Sequence, residues 1–194
     1  MKSLSYILSI AAISFIFALQ VKATEQHADT QKLDAQAKKL IKKFGGQLKS
    51  TLTSEIKQNG LVAAIKVCKI KAPEISDSLS DKVTIGRTSL KYRNPDNKPD
   101  DISKITLMDF ETQKQNNGNV SQIEKGQFIE KDGKKVYRFM KAIETGGLCL
   151  SCHGESLTKE VAEQIKTDYP DDKATGFKLG DIRGSFVVEI PVEQ

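Results

Sequence analysis

Residues 127–154, QFIEKDGKKVYRFMKAIETGGLCLSCHG, decide how this chain folds. Asp132-Gly133 is a two-residue hairpin signal between Gln127–Glu130 and Lys134–Ile143, because both residues tolerate the positive φ that a tight reversal of twisted strands needs. The second strand runs on toward Cys149-Leu150-Ser151-Cys152-His153. That pentapeptide is Cys-x-x-Cys-His, the attachment pattern of a c-type haem. Two thiols three positions apart suit thioether bonds to the two haem vinyl groups. The adjacent imidazole suits the proximal iron position. A hairpin followed by this motif predicts a cytochrome with a sheet, unlike the small all-helical ones.

Other chemistries compete for the same five residues. A closed zinc site needs four ligands, usually from two such pairs. The chain has three Cys and two His, so zinc would have to recruit Cys68 with both His, or a carboxylate. A thioredoxin-like redox pair should open a helix directly after a strand, and Gly146-Gly147 before the pair with Gly154 after it match that poorly. A plain disulfide is the third alternative.

The start of the chain reads as an export signal. Lys2 gives a positive start, Leu4 to Leu19 is almost wholly apolar, and Val21-Lys22-Ala23 ends with small residues at the recognition positions. Residues 1–23 are therefore expected to be a signal peptide cleaved after Ala23, leaving 24–194 as one haem domain in the periplasm. An uncleaved anchor is the alternative, although the run is marginal for a span of about 20 residues. Covalent haem attachment in bacteria takes place in the same compartment. The formal charge of +5 falls to +3 once Lys2 and Lys22 are removed, and two haem propionates would lower it further. The lysines are scattered, so no nucleic-acid partner is expected.

From Asp29 to Gln58, Leu33, Ala37, Leu40, Ile41, Phe44, Leu48, Leu52 and Ile56 recur at helical spacing and predict one long helix. Gly45-Gly46 interrupts it, as a kink or a close packing contact, and Asn59-Gly60 stops it. A second helix is predicted from Leu61 to Ile70, ending before Pro73, with Leu61–Ile65 buried. Val83–Ser89 reads as a strand. Asn94–Asp100 is a turn-rich loop, after which Asp100 or Asp101 caps a helix through Gln115. The haem motif is expected in a loop. Ser156 is expected to cap a helix to Thr167, and Gly184–Val192 is the last strand, alternating Phe186, Val188 and Ile190. The fold class is α+β: a long N-terminal helix before four or five antiparallel strands with helices between, the layout of small sensor-type sheets with helices on one side.

Several blocks then resemble the PAS-like single c-type haem family, periplasmic sensor-type cytochromes long labelled only as a domain of unknown function. They are Ala64–Cys68 leading to Ala72-Pro73, Arg87–Asp100, Cys149–Gly154 and Tyr169–Gly184. In this order they span nearly all of the chain after residue 23. The resemblance implies a PAS-like antiparallel sheet with flanking helices around a covalently bound haem c, and no enzymatic activity. One departure is Met140-Lys141-Ala142-Ile143, where a proline-containing stretch is expected.

The sixth iron ligand has few candidates. His27 is the only other imidazole, in a polar leader. Met108 sits with Ile105 and Leu107, and Met140 lies on a hairpin strand, so both read as packing residues. Lysine needs deprotonation. Cys68 is the odd thiol; as a lone buried Cys it reads as an inert apolar residue, but a leftover thiol in an exported chain stands out. The resemblance implies that Cys68 is the axial ligand opposite His153. Arg87, Lys91 and Arg93 form a basic cluster suited to haem propionates, or to solvent. Paired carboxylates such as Asp100-Asp101 and Asp171-Asp172 read as caps and turns, and no Ser/His/Asp set can be assembled.

The expected function is electron transfer or redox sensing by an exported monohaem c-type cytochrome, with a separate periplasmic redox or signalling partner. The alternative is a haem-based gas sensor that binds a diatomic ligand and acts on another protein. Peroxidase-like catalysis ranks last, with no spare distal His. The long N-terminal helix suits a homodimer contact as well as core packing.

Overall fold

The structure is a computed structural model that describes residues 4–192, with side chains described from Asp29 onward. Met1–Ala23, where the signal peptide is expected, and His27 lie outside the residues whose side chains are described. Two compact units divide the chain, Met1–Gln36 and Ala37–Gln194. The first is the opening of helix α1 (Leu4–Lys66), along which Lys32 Nζ lies 4.0 Å from the carboxylate of Asp29. Among the described residues no helix is long and apolar enough to cross a membrane.

The second unit is α+β, as the periodicity predicts. Within it, α1 buries Ala37, Ile41, Phe44 and Leu48, which fall on one stripe at steps of four, three and four. The helix does not kink at Gly45. A Cβ there would lie 3.2 Å from the Phe186 ring, so Gly45 marks a close contact. Phe44, 1% exposed, meets the same ring edge-on at 6.0 Å. The interruption comes at Gly60, whose φ of 82° breaks the helix where Asn59-Gly60 predicts a stop.

Beyond Gly60 the chain departs from expectation. It does not end before Pro73. A π-helical turn, Val67–Lys71, leads directly into α2 (Ala72–Leu79). The new helix begins at the turn, so Pro73 falls in its first turn, where a missing N–H is harmless. Only Ala64 and Ile65 of the Leu61–Ile65 run are buried, and Val62 faces solvent. The run is one face of an amphipathic helix rather than a buried segment.

Four strands form one antiparallel sheet in the order β1-β4-β3-β2. They are β1 (Thr84–Thr88), β2 (Glu124–Lys131), β3 (Lys134–Glu144) and β4 (Ile182–Pro191). Asp132 and Gly133 adopt φ of 53° and 71°, the paired positive angles of a tight hairpin. Because side chains alternate, Phe139 and Phe186 share one face, which α1 covers through Phe44. Met140 and Ala142 share the other. They pack with Leu107 and Phe110 of α3 (Asp101–Gln115). The sheet therefore carries helices on both faces, not one, since both faces of its central strands are apolar.

Capping follows local chemistry. Asp100 accepts from Ser103 N at 2.8 Å and starts α3. Helix α5 (Lys159–Asp168) starts from Thr158 rather than Ser156. That register buries Val161 and Ile165 against Ile65 and Tyr169.

Arg138, 3% exposed, ties the α3 cap to the sheet. Its Nη2 lies 2.6 Å from Glu189 Oε1 and its Nη1 2.8 Å from Asp100 Oδ1. Burial alone would raise the Glu189 carboxyl; hydrogen bonds from Lys131 and Arg138 outweigh it and hold it below the ordinary range. Asp100 is likewise held low despite its burial, by Ser103 and Arg138. Their stabilisation is complete above the unfolded carboxyl values of about 4 and is lost as pH falls through the lower folded ones. Arg138→Ala is expected to lower the unfolding free energy by about 3 kcal/mol at pH 7. Urea denaturation at pH 7 and pH 3 checks this, because the penalty should shrink once the orphaned carboxylates are protonated.

Candidate functional site

The Cys-x-x-Cys-His segment forms helix α4 (Gly147–His153), not a loop. Helical spacing puts residues three apart on one face, so Cys149 and Cys152 are neighbours and His153 follows one position on. Gly154 caps the end of the helix in extended backbone, at a position where a Cβ would lie 2.6 Å from Leu150 O. The chain 169–184 then returns alongside. Phe177 N donates to His153 O at 2.9 Å and Gly176 N to Gly154 O at 3.0 Å.

His153 Nδ1 lies 2.7 Å from Ala174 O. A carbonyl only accepts, so Nδ1 carries the proton and Nε2 keeps its lone pair. Burial, then the charges of Arg183 and Arg93, pull this imidazole well below its usual pKa. It is neutral at pH 7, the form that ligates iron. The Phe177 ring meets it edge-on at 6.3 Å.

Arg93 sets this geometry. It is 8% exposed, and its Nε and Nη2 lie 3.0 and 3.1 Å from the two Asp172 oxygens. Nη2 also donates to Cys152 O at 2.7 Å and to Ala174 O at 3.2 Å. One guanidinium thus caps the end of α4 and shares the carbonyl that orients His153. Asp172 Oδ1 accepts from Ala174 N at 2.9 Å, fixing that peptide from its other side. Arg93 is engaged as a brace, a role the sequence did not disclose.

One cavity gathers Cys68, Arg87, Arg93, Cys149, Cys152 and His153, six of the residues singled out in the sequence. It holds about 970 Å³ of empty space, part of it open to solvent. Leu48, Leu52 and Ile56 of α1 and Ile143 of β3 give it an apolar wall. Cys68 reaches it from the π-helical turn, half-buried. Burial pushes the Cys152 thiol up, with Cys68 and Cys149 adding to the shift and Arg93 opposing it. Tyr169 is pushed up to about 12, by burial first and then by Cys68.

The other ligand candidates fall elsewhere. Met140 is wholly buried between α3 and the sheet, and Met108 is 54% exposed on α3. Lys91 Nζ donates to Thr175 O and stands 4.5 Å from the centre of the Phe177 ring. Arg183 was missed. Its Nη1 donates to Ser89 Oγ and Lys91 O, both at 3.2 Å, and its Nε is buried with no partner. Its signal in the sequence was its place in the Tyr169–Gly184 block, just before the strand expected from Gly184.

These features fit a haem. Among the described residues no group of three or more His, Cys, Asp and Glu side chains could hold a metal ion. A haem brings four equatorial nitrogens of its own and asks the protein for axial ligands only. The charged wall of the cavity retains an unsatisfied donor, the buried Arg183 Nε.

The sequence profile of the Tll0287-like family matches residues 11–191. The crystal structure of the cyanobacterial heme-protein Tll0287 is similar at a TM-score of 0.56 and 25% identity, over 86% of this chain and 97% of that one. No curated protein matches the chain.

Imidazole ¹⁵N spectra of the haem-free protein are expected to show His153 still as the neutral Nδ1–H tautomer through the pH range in which an ordinary histidine protonates. A titration near pH 6.5 would contradict the burial described here. Arg93→Ala should speed Nδ1–H exchange about tenfold or more by freeing Ala174 O, and Arg93→Lys should not restore it, because a point charge lacks the fork.

Proposed function

The chain belongs to the Tll0287-like family, and from that premise we propose that it is an exported monohaem c-type cytochrome that transfers electrons or senses redox state. Cys149 and Cys152 would hold haem c through thioethers, His153 would be the proximal ligand and Cys68 the distal one. One observation carries this reading: three thiols and a neutral imidazole with Nε2 available line a single, largely apolar cavity. The haem description of the cyanobacterial relative supports it independently.

Bound there, the haem supplies an iron that changes oxidation state. The protein's residues do the rest. Ala174 O orients His153 and, by accepting a hydrogen bond from its Nδ1–H, raises its basicity as a ligand. A thiolate from Cys68 would stabilise ferric iron and lower the potential. The apolar wall of α1 would keep water from the iron. The leader at 1–23 supports export to the periplasm, and a separate redox or signalling partner would receive the output.

Haem absorbance in the purified, matured chain is expected to survive denaturation and to be lost from the polypeptide in Cys149→Ala/Cys152→Ala. The ferric protein should show a low-spin thiolate paramagnetic resonance signature that disappears in Cys68→Ala. An unchanged spectrum would remove Cys68 from the iron. The π-helical turn under Cys68 favours one elaboration, since such irregular turns occur frequently at functional sites. If the thiol leaves on reduction, carbon monoxide should shift the ferrous spectrum; no shift would exclude gas sensing.

A further inference from the structure

Three guanidinium groups line the cavity, and one of them is neutralised. Arg93 is held by Asp172. Arg87 stacks over the Phe44 ring at 6.0 Å and Arg183 over the Phe177 ring at 5.2 Å, and among the described residues neither forms an ion pair. Three positive charges and one negative therefore share a poorly solvated space. Like charges at short range repel unless an anion joins them.

The placement of Arg183 is specific. In the β3–β4 register Ile143 faces Gly184, but Glu144 faces Ile182, so Arg183 is the extra residue of a bulge. Plain alternation from Phe186 would turn Arg183 to the α3 face. The bulge reverses the phase: Ile182 joins Met140 and Ala142 in that core, and Arg183 lines the cavity instead. Bulges beside functional sites commonly re-aim one side chain in this way. Gly184 makes it feasible, because a Cβ there would lie 2.4 Å from Thr88 O. The strands approach closely, and Arg183 is pinned to Ser89 through Nη1 while its buried Nε finds no protein acceptor.

Resting on the haem reading above, we propose that Arg183 and Arg87 form the anion-binding end of the cavity and receive the two propionate carboxylates of the haem, while Arg93 takes no part in that contact. A guanidinium fork suits a carboxylate, and two unpaired forks match a dianion. Burial first, then the charges of Arg93 and Arg87, bring Arg183 down to about 10.

The test uses full-length matured holoprotein with Arg183→Met, Arg183→Gln and Arg87→Met. The resonance Raman bending bands of the haem carboxylates report their hydrogen bonding. They are expected to shift in both Arg183 variants and in Arg87→Met. Bands unmoved in the Arg183 variants would overturn the assignment. Arg183→Gln keeps a donor for Ser89 and guards against a misfolded methionine variant. As a second measurement, the chain produced without haem is titrated with ferric protoporphyrin and with its dimethyl ester, which lacks the two charges. A preference for the acid of about tenfold, lost in the Arg183 variants, supports the clamp; equal binding by the unaltered chain sinks it. A retained preference in a chain that never acquires covalent haem would support the anion site and reject the thioether attachment instead.

Discussion

The buried pair between Arg93 and Asp172 is the interaction on which the site depends. It joins residues 79 positions apart, and it does so next to three backbone groups that need fixing. The Arg93 fork reaches Cys152 O and Ala174 O, and the Asp172 carboxylate reaches Ala174 N. The end of helix α4, the direction of the His153 ring and the path of the returning loop therefore share one anchor. A buried ion pair is seldom the most stabilising choice for a core. Here its value lies in geometry, because a planar fork satisfies several acceptors at set angles where an apolar contact would leave them free.

Close backbone approach is the second constraint. At Gly154 and Gly184 a side chain would collide with Leu150 O and Thr88 O, and at Gly45 it would press on Phe186. The contacts at Gly184 and Gly45 hold β1 and α1 close to β4, whereas Gly154 meets only its own helix. The bulge next to Gly184 adds what regular strands could not, a charged residue turned toward an otherwise apolar wall. The cavity thus combines a low-dielectric lining, which strengthens every interaction inside it, with more positive charge than the protein itself neutralises.

Much of this was legible in the sequence because it is governed by local rules. The apolar stripe of α1, the stop at Asn59-Gly60, the Asp132-Gly133 hairpin and the Asp100 cap each follow from residues within a turn or two of one another. What was misread involved competition that only packing resolves. Ser156 and Thr158 can both cap a helix, and the burial of Val161 and Ile165 selects Thr158. Pro73 looked like a terminator, but the π-helical turn before it restarted the helix. The motif was expected in a loop, whereas it forms a short helix that Gly154 ends.

The sequence by itself determined the α+β class, the thiols and imidazole at haem-attachment spacing, and, through its ordered blocks, the family resemblance. These depend on residue type and short-range spacing, which the chain carries openly. Tertiary structure alone decided that Cys68 shares a cavity with Cys149, Cys152 and His153, that Met108 and Met140 do not, that Arg93 braces a histidine, and that Arg183 faces inward. Each of those facts depends on which distant backbone segments lie within hydrogen-bonding distance, and no local pattern records that.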